Sequence, residues 1–173
     1  SYKEMNKLAS VVPVGSEGLS VIPFGNGAER MLGNKIVGAH FAGLNLNLHS
    51  KNHIFRAAQE GIAFSFKYGI DIMNKEVGIN PSVIRAGYAN LFLSPVFCEA
   101  LSCISNSVIE LYDTDGALGA ARGAGIGAGY YNDFREAFAY LKKLQIIEPQ
   151  KEKSDAYKMA YCKWFEVLKN KLD

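Results

Sequence analysis

Short strands alternating with helices along 173 residues predict one α/β domain. Two kinds of observation carry that reading. Leu19–Phe24, the run about Ile84 and Val108–Tyr112 are short apolar stretches bounded by glycine, proline or polar residues. Ser50–Asn74 and the last seventeen or so residues instead repeat apolar side chains at helical spacing.

Taken in order, residues 2–12 read as a short helix with Met5, Leu8, Ala9 and Val12 on one side, ended by Pro13 and Gly15. Leu19–Phe24 reads as a buried strand entering a turn at Gly25-Asn26-Gly27-Ala28-Glu29-Arg30, and a second β segment follows around Gly38–Leu44. The clearest helix spans about Ser50 to Asn74, with Ser50 as its N-cap. Gly61 and Gly69 share a face of that helix where another backbone can come close.

The most informative stretch is Val83-Ile84-Arg85-Ala86-Gly87-Tyr88-Ala89-Asn90-Leu91-Phe92-Leu93-Ser94-Pro95. A strand breaks into a turn of small residues, and Ser94-Pro95 opens a helix to about Ile104, with proline at the first helical position. Such a turn lets backbone N–H groups approach a ligand, often a nucleotide. After the strand Val108–Tyr112, residues 116–129 hold six glycines and five alanines, so a helix there, beneath the turn, is expected to depend on close packing against a sheet or another helix. Asn132 or Asp133 then caps a helix expected to carry Phe134, Ala137, Phe138, Leu141 and Leu144. The final helix presents Tyr157, Ala160, Tyr161, Trp164, Leu168 and Leu172 to the domain.

Composition is that of a globular protein, 49% hydrophobic and 21% charged, and supports a sizeable core. A net charge of +2 gives no reason to expect nucleic acid or an anionic membrane as partner. No apolar run approaches the ~18 residues of a membrane span. Cys98, Cys103 and Cys162 form no CxxC pair and fit a reduced, cytoplasmic protein.

Catalytic chemistry is scarce. There is no GxSxG elbow, no GxxxxGK[ST] loop, and no strand–GxGxxG–helix with an acidic residue about twenty positions on. His49 and His53 are four apart, but with Ser50 as cap they lie on no common helix face, and no third ligand accompanies them; no metal site is expected. Glu29, beside Arg30, is read as a local ion pair or cap, or as a group positioning a ligand or a neighbouring domain. Glu60 is read equally as such a group or as a buried cap for a neighbouring loop. The residues by themselves thus reach an α/β nucleotide-binding domain with no visible catalytic residue.

Three blocks in order then resemble a known family. They are Gly18–Arg30 (GLSVIPFGNGAER), His53–Phe64 (HIFRAAQEGIAF), and Ile84–Pro95 followed by Ala117-Leu118-Gly119-Ala120-Ala121. This succession, over roughly residues 2–145, resembles the C-terminal domain of the FGGY carbohydrate kinases; the Ala-Asn-x-Phe-x-Ser-Pro variant after the turn is most similar to the xylulokinase branch.

The resemblance implies an actin-like ATPase (ribonuclease H-like) fold, a mixed sheet flanked by helices, with residues 1–173 forming the C-terminal nucleotide-binding lobe. It implies ATP with Mg2+ as the phosphoryl donor. The sugar, implied as D-xylulose converted to its 5-phosphate, is held by an N-terminal lobe that this chain lacks. Gly87, Tyr88, Ala89 and Asn90 fall on the family's nucleotide turn, and Gly25 and Gly27 on a glycine turn approaching from the other side. Glu29 and Arg30 match a block that shapes the cleft.

Departures are visible. Ala86-Gly87-Tyr88 stands where the family has three glycines, so Tyr88 either stacks on adenine or lines the entrance. Glu99 replaces a glutamine and Cys103 an aspartate. In the family, the aspartate that deprotonates the sugar hydroxyl and the phosphate loop precede the segment matched here, and no Asp precedes Asp71. This chain alone is therefore expected not to phosphorylate sugar. Apolar surface left where the sugar lobe would sit leads to an expectation of self-association as a homodimer. The alternative function is a non-catalytic actin-like module that binds nucleotide or assembles.

Overall fold

The computed structural model describes residues 1–172. Its first element, α1 (Tyr2–Ser10), is capped by the Ser1 side chain and followed by a left-handed turn at Gly15 and Ser16. Strands β1 (Ser20–Glu29) and β2 (Lys35–Ala42) form an antiparallel hairpin. Here the sequence expectation is corrected: Gly25–Glu29 is not a turn but the second half of β1. The register slips between Phe24 and Ala28, and Gly27 supplies the positive φ of 107°. A bulge of this kind keeps the strand paired while absorbing extra residues, which a local reading of glycines takes for a chain reversal.

Helix α2 (Lys51–Val77) begins at Ser50, whose hydroxyl accepts the Asn52 N–H, while the Nδ1 of His53 accepts the N–H of Ser50 at 3.1 Å. It ends at Gly78 in the left-handed conformation that only a residue without Cβ adopts freely. Gly61 fulfils its expected role: a Cβ there would lie 2.1 Å from the Val21 carbonyl oxygen, so β1 sits directly on the helix backbone. At Gly69 no backbone comes within 4 Å, the neighbour being the end of the Met31 side chain.

Next come β3 (Val83–Gly87), α3 (Pro95–Ser105) and β4 (Val108–Tyr112). β3 and β4 are parallel, and β5 (Lys143–Ile147) joins the other edge of β4 antiparallel, giving a mixed sheet of order β3-β4-β5. Between β4 and β5 lie α4 (Gly116–Gly127) and α5 (Phe134–Phe138). The helix expected through Leu144 stops at Phe138, with Asp133 as its cap, and Leu144 belongs to β5. Pairing with β4, Ile147 opposite Ile109 and Ile146 opposite Glu110, overrides the helical spacing of Leu141 and Leu144.

α4 meets its expectation in part, packing chiefly on the helix that follows it. It forms, but buries no residue, and Gly116, Gly119, Gly123 and Gly127 face open space within 4 Å. Its order rests on the Asp115 cap and on contacts with α5.

The closing helix α6 (Ser154–Leu172) buries Tyr157, Ala160, Trp164 and Leu168 as the spacing predicts. One core joins Ile22 and Phe24 of β1, Phe64 of α2, Phe97 and Leu101 of α3, Ile109 and Leu111 of β4, and Trp164 of α6. Among the described residues no helix is long and apolar enough to cross a membrane.

Candidate nucleotide site

Because β3 and β4 run parallel with Gly87 opposite Tyr112, the turns that follow them leave the same end of the sheet. The crevice outside the carboxyl ends of parallel strands is where open α/β sheets bind ligands. Gly87 brings these two turns together. A Cβ on it would stand 2.4 Å from the Thr114 carbonyl oxygen and 3.3 Å from the Asp115 Cα. At this glycine the close approach is made by the chain's own backbone.

Hydrogen bonds fix the turn. The Tyr88 N–H donates to the Tyr112 carbonyl at 2.8 Å, and the Ala89 N–H to that of Gly87 at 2.8 Å. Asn90 has φ 53°, the left-handed region that asparagine tolerates better than other side-chain-bearing residues, and opens a 3-10 turn through Leu93. Ser94 then caps α3, accepting the Phe97 N–H and donating its hydroxyl to Gln59 of α2. Across the crevice, the Asp115 carboxylate caps α4 by accepting the Leu118 N–H at 2.8 Å. Arg122 donates to the Thr114 hydroxyl at 2.9 Å, with its guanidinium 5.7 Å from the Phe138 ring centre.

Two depressions result. One, of about 300 Å³, is lined by Phe66 of α2, Gly87, Ala89, Asn90, Phe97 and Asp115, among others. The other, of about 320 Å³, shares Gly87 and is bordered by Arg85, Tyr112, Thr114 and Phe138. Beside the second, Glu110 accepts hydrogen bonds from Lys143, from Tyr112 at 2.7 Å and from Arg85 at 3.0 Å. These donors, Lys143 first, hold its carboxyl down at about 2.

The predicted residues divide accordingly. Gly87, Ala89 and Asn90 come together at the first depression. Tyr88 lines neither and is 45% exposed. Gly25 and Gly27 also line neither; Gly25 lies against the Ala39 side chain across the hairpin, and Gly27 faces open space within 4 Å. Glu29 ends β1, its carbonyl accepting the Asn34 N–H, and forms no ion pair with Arg30 among the described residues. Sequence reasoning missed Phe66, Phe97 and Asp115. Phe66 lies within the Ser50–Asn74 helical pattern, which does not show that it reaches this turn, and the signal that could have found Asp115 is an N-cap residue type ahead of the glycine-rich run.

Glu60, Glu99, His49 and His53 make contacts within the fold. Glu60 caps Gly15 and Ser16, one of its two expected roles, accepting the Gly15 N–H at 3.1 Å and the Ser16 hydroxyl at 3.3 Å. Burial pushes its carboxyl above the usual range, against the opposing pull of Arg56. Glu99 accepts from Lys153 at 2.7 Å and Tyr157 at 2.8 Å, away from the crevice. His53 contacts Glu17 at 2.7 Å, and the His49 Nδ1 accepts the Asn45 N–H. Burial raises the Cys98 thiol to about 12. The donor set does not suit Mg2+: Asp115 is the one carboxylate lining either depression, and among the described residues no three potential ligands cluster.

No family model matches the sequence. Glycerol kinase 5 of Homo sapiens is 29% identical over 159 residues, covering 91% of this chain and 30% of that protein. Xylulose kinase of Haemophilus influenzae is 27% identical over 172 residues, covering 96% of this chain and 34% of that protein. The crystal structure of Plasmodium falciparum glycerol kinase with ADP superposes with a TM-score of 0.76 at 21% identity, over 100% of this chain and 34% of that one. The chain spans about a third of the length of the relatives it matches. Its fold is that of the actin-like ATPases, and it is homologous to the FGGY-type carbohydrate kinases.

Proposed function

We propose that this chain is the nucleotide-binding lobe of a carbohydrate kinase, taking the base and ribose of ATP or ADP in the depression between the Gly87–Asn90 turn and the start of α4. The observation that carries this reading is the backbone contact of Gly87 with Thr114, which shapes the depression at the carboxyl ends of two parallel strands.

Electrostatics favour the uncharged end of a nucleotide there. The Asp115 carboxylate already sits on the positive end of the α4 dipole and repels a phosphate. It can accept ribose hydroxyls, and Asn90 can donate to or accept from a base edge. Phe66 and Phe97 supply an apolar wall. Phosphates then point out of the depression, toward the second lobe that would hold the sugar, Mg2+ and the general base. Gly25, Gly27 and Tyr88 remain candidates for the phosphate side and for the rim.

The sugar is D-xylulose on this reading, supported by the xylulose kinases among the relatives and by the Ala89-Asn90 to Ser94-Pro95 pattern. This chain by itself contributes no base to deprotonate the sugar hydroxyl, and so binds nucleotide without turnover.

Titration calorimetry with ADP tests the lobe: saturable one-to-one binding is expected, and no heat at millimolar ADP overturns the reading. In a coupled assay the chain alone is expected to release no ADP from ATP and D-xylulose; turnover would overturn the assignment of the base to the other lobe. Joined to its sugar lobe, the protein is expected to consume ATP with D-xylulose. Turnover on glycerol instead would overturn the choice of sugar and keep the kinase class.

A further inference from the structure

Phe66 lies on α2 between the buried Phe64 and Ile70, yet is itself 48% exposed, and the surface it exposes borders the depression opposite Gly87, Ala89 and Asn90. Its ring is held from below. Phe97, fully buried, meets it edge to face at 5.8 Å and 79°, and Phe92 meets Phe97 at 5.3 Å and 85°. A phenylalanine has only two χ angles to fix, so a ring seated on Phe97 offers an aromatic wall at little further cost in entropy when a ligand arrives. Among the described residues no aromatic ring but Phe97 meets this one, whereas the polar groups of the same depression, Asn90 and Asp115, stand where a ribose and a base edge would be read.

We infer that Phe66 is the base platform of this site and sets a preference for purine over pyrimidine nucleotides. The inference rests on the nucleotide reading above and names the part of the nucleotide the depression recognises. A purine lays two fused rings against the wall where a pyrimidine lays one. Since stacking on an aromatic side chain is worth enough that its loss weakens binding by about ten- to a hundredfold, the difference between one ring and two is large enough to measure.

Calorimetry on this chain with ADP and with CDP, for the wild type and for Phe66→Ala, Phe66→Leu and Phe66→Tyr, provides the test. Phe66→Ala is expected to weaken ADP by about ten- to a hundredfold and CDP by less, so that the ADP:CDP ratio falls toward one. Phe66→Leu keeps the apolar bulk against Phe97 and is expected to lose the same selectivity while melting near the wild type. Phe66→Tyr is expected to retain both affinity and ratio. Absence of ADP binding by the wild type overturns the nucleotide reading, and this inference with it. Wild-type ADP binding with an ADP:CDP ratio that Phe66→Leu leaves unchanged overturns this inference alone.

Discussion

Arg56 and Glu60, one turn apart on α2, form an ion pair of 2.7 Å with side chains only 5% and 2% exposed. Neither is left with an idle group. Arg56 also donates to the Val12 carbonyl at 2.8 Å and to the Tyr157 hydroxyl at 3.0 Å, while Glu60 holds Gly15 and Ser16. The pair therefore ties the loop after α1 to α2 and α6. Neither residue lines the crevice.

Removing one partner of such a pair leaves a buried charge uncompensated. Glu60→Gln is expected to destabilise the chain by about 3–5 kcal/mol, read from urea unfolding. Replacing Arg56 and Glu60 together by apolar residues of similar volume is expected to cost less than the two single changes summed.

Two glycine-to-alanine changes on helices should have opposite signs. At Gly61 the new methyl meets the Val21 carbonyl at 2.1 Å, and that oxygen is also held by the Trp164 indole N–H at 2.9 Å, so the strand cannot simply move away. A loss of about 3 kcal/mol or more is expected. At Gly123 in α4 nothing lies within 4 Å, and alanine is expected to stabilise by about 0.5–1 kcal/mol through helix propensity. Melting temperatures of the two variants distinguish the cases.

Gly87→Ala tests the crevice. Its methyl would fall 2.4 Å from the Thr114 oxygen, forcing the β3 turn and the start of α4 apart. ADP affinity is expected to fall at least about tenfold by calorimetry, since small displacements of positioning groups cost that much. Unchanged affinity would mean that the depression does not hold the nucleotide.

Glu110 predicts a pH dependence. Its folded carboxyl is depressed to about 2 by Lys143, Tyr112 and Arg85, while the unfolded one titrates near its ordinary value of 4.5. A depressed pKa stabilises the fold above the unfolded value, and that contribution is lost as pH falls from 4.5 toward 2. In Glu110→Gln the decline of melting temperature over this interval is expected to be shallower than in the wild type. Parallel curves would show that the cluster contributes nothing.

Much of the fold could be read locally. Ser50 and Ser94 announce their helices because an N-cap hydroxyl acts within three residues, and the spacing of Tyr157, Trp164 and Leu168 shows one buried stripe whatever it packs on. β5 and the bulge at Gly25–Gly27 were not legible, because each exists through pairing with a distant strand that local propensity does not report.

The site divides in the same way. The sequence by itself determined that a small-residue turn follows β3 and that Ser94 opens the helix after it, both consequences of backbone preferences within a few residues. Only the tertiary structure decided what Gly87 makes room for, and that Phe66, more than twenty residues earlier, faces the same turn. Those relations depend on how a parallel strand pair and a long helix pack together, and no residue near the turn encodes them alone.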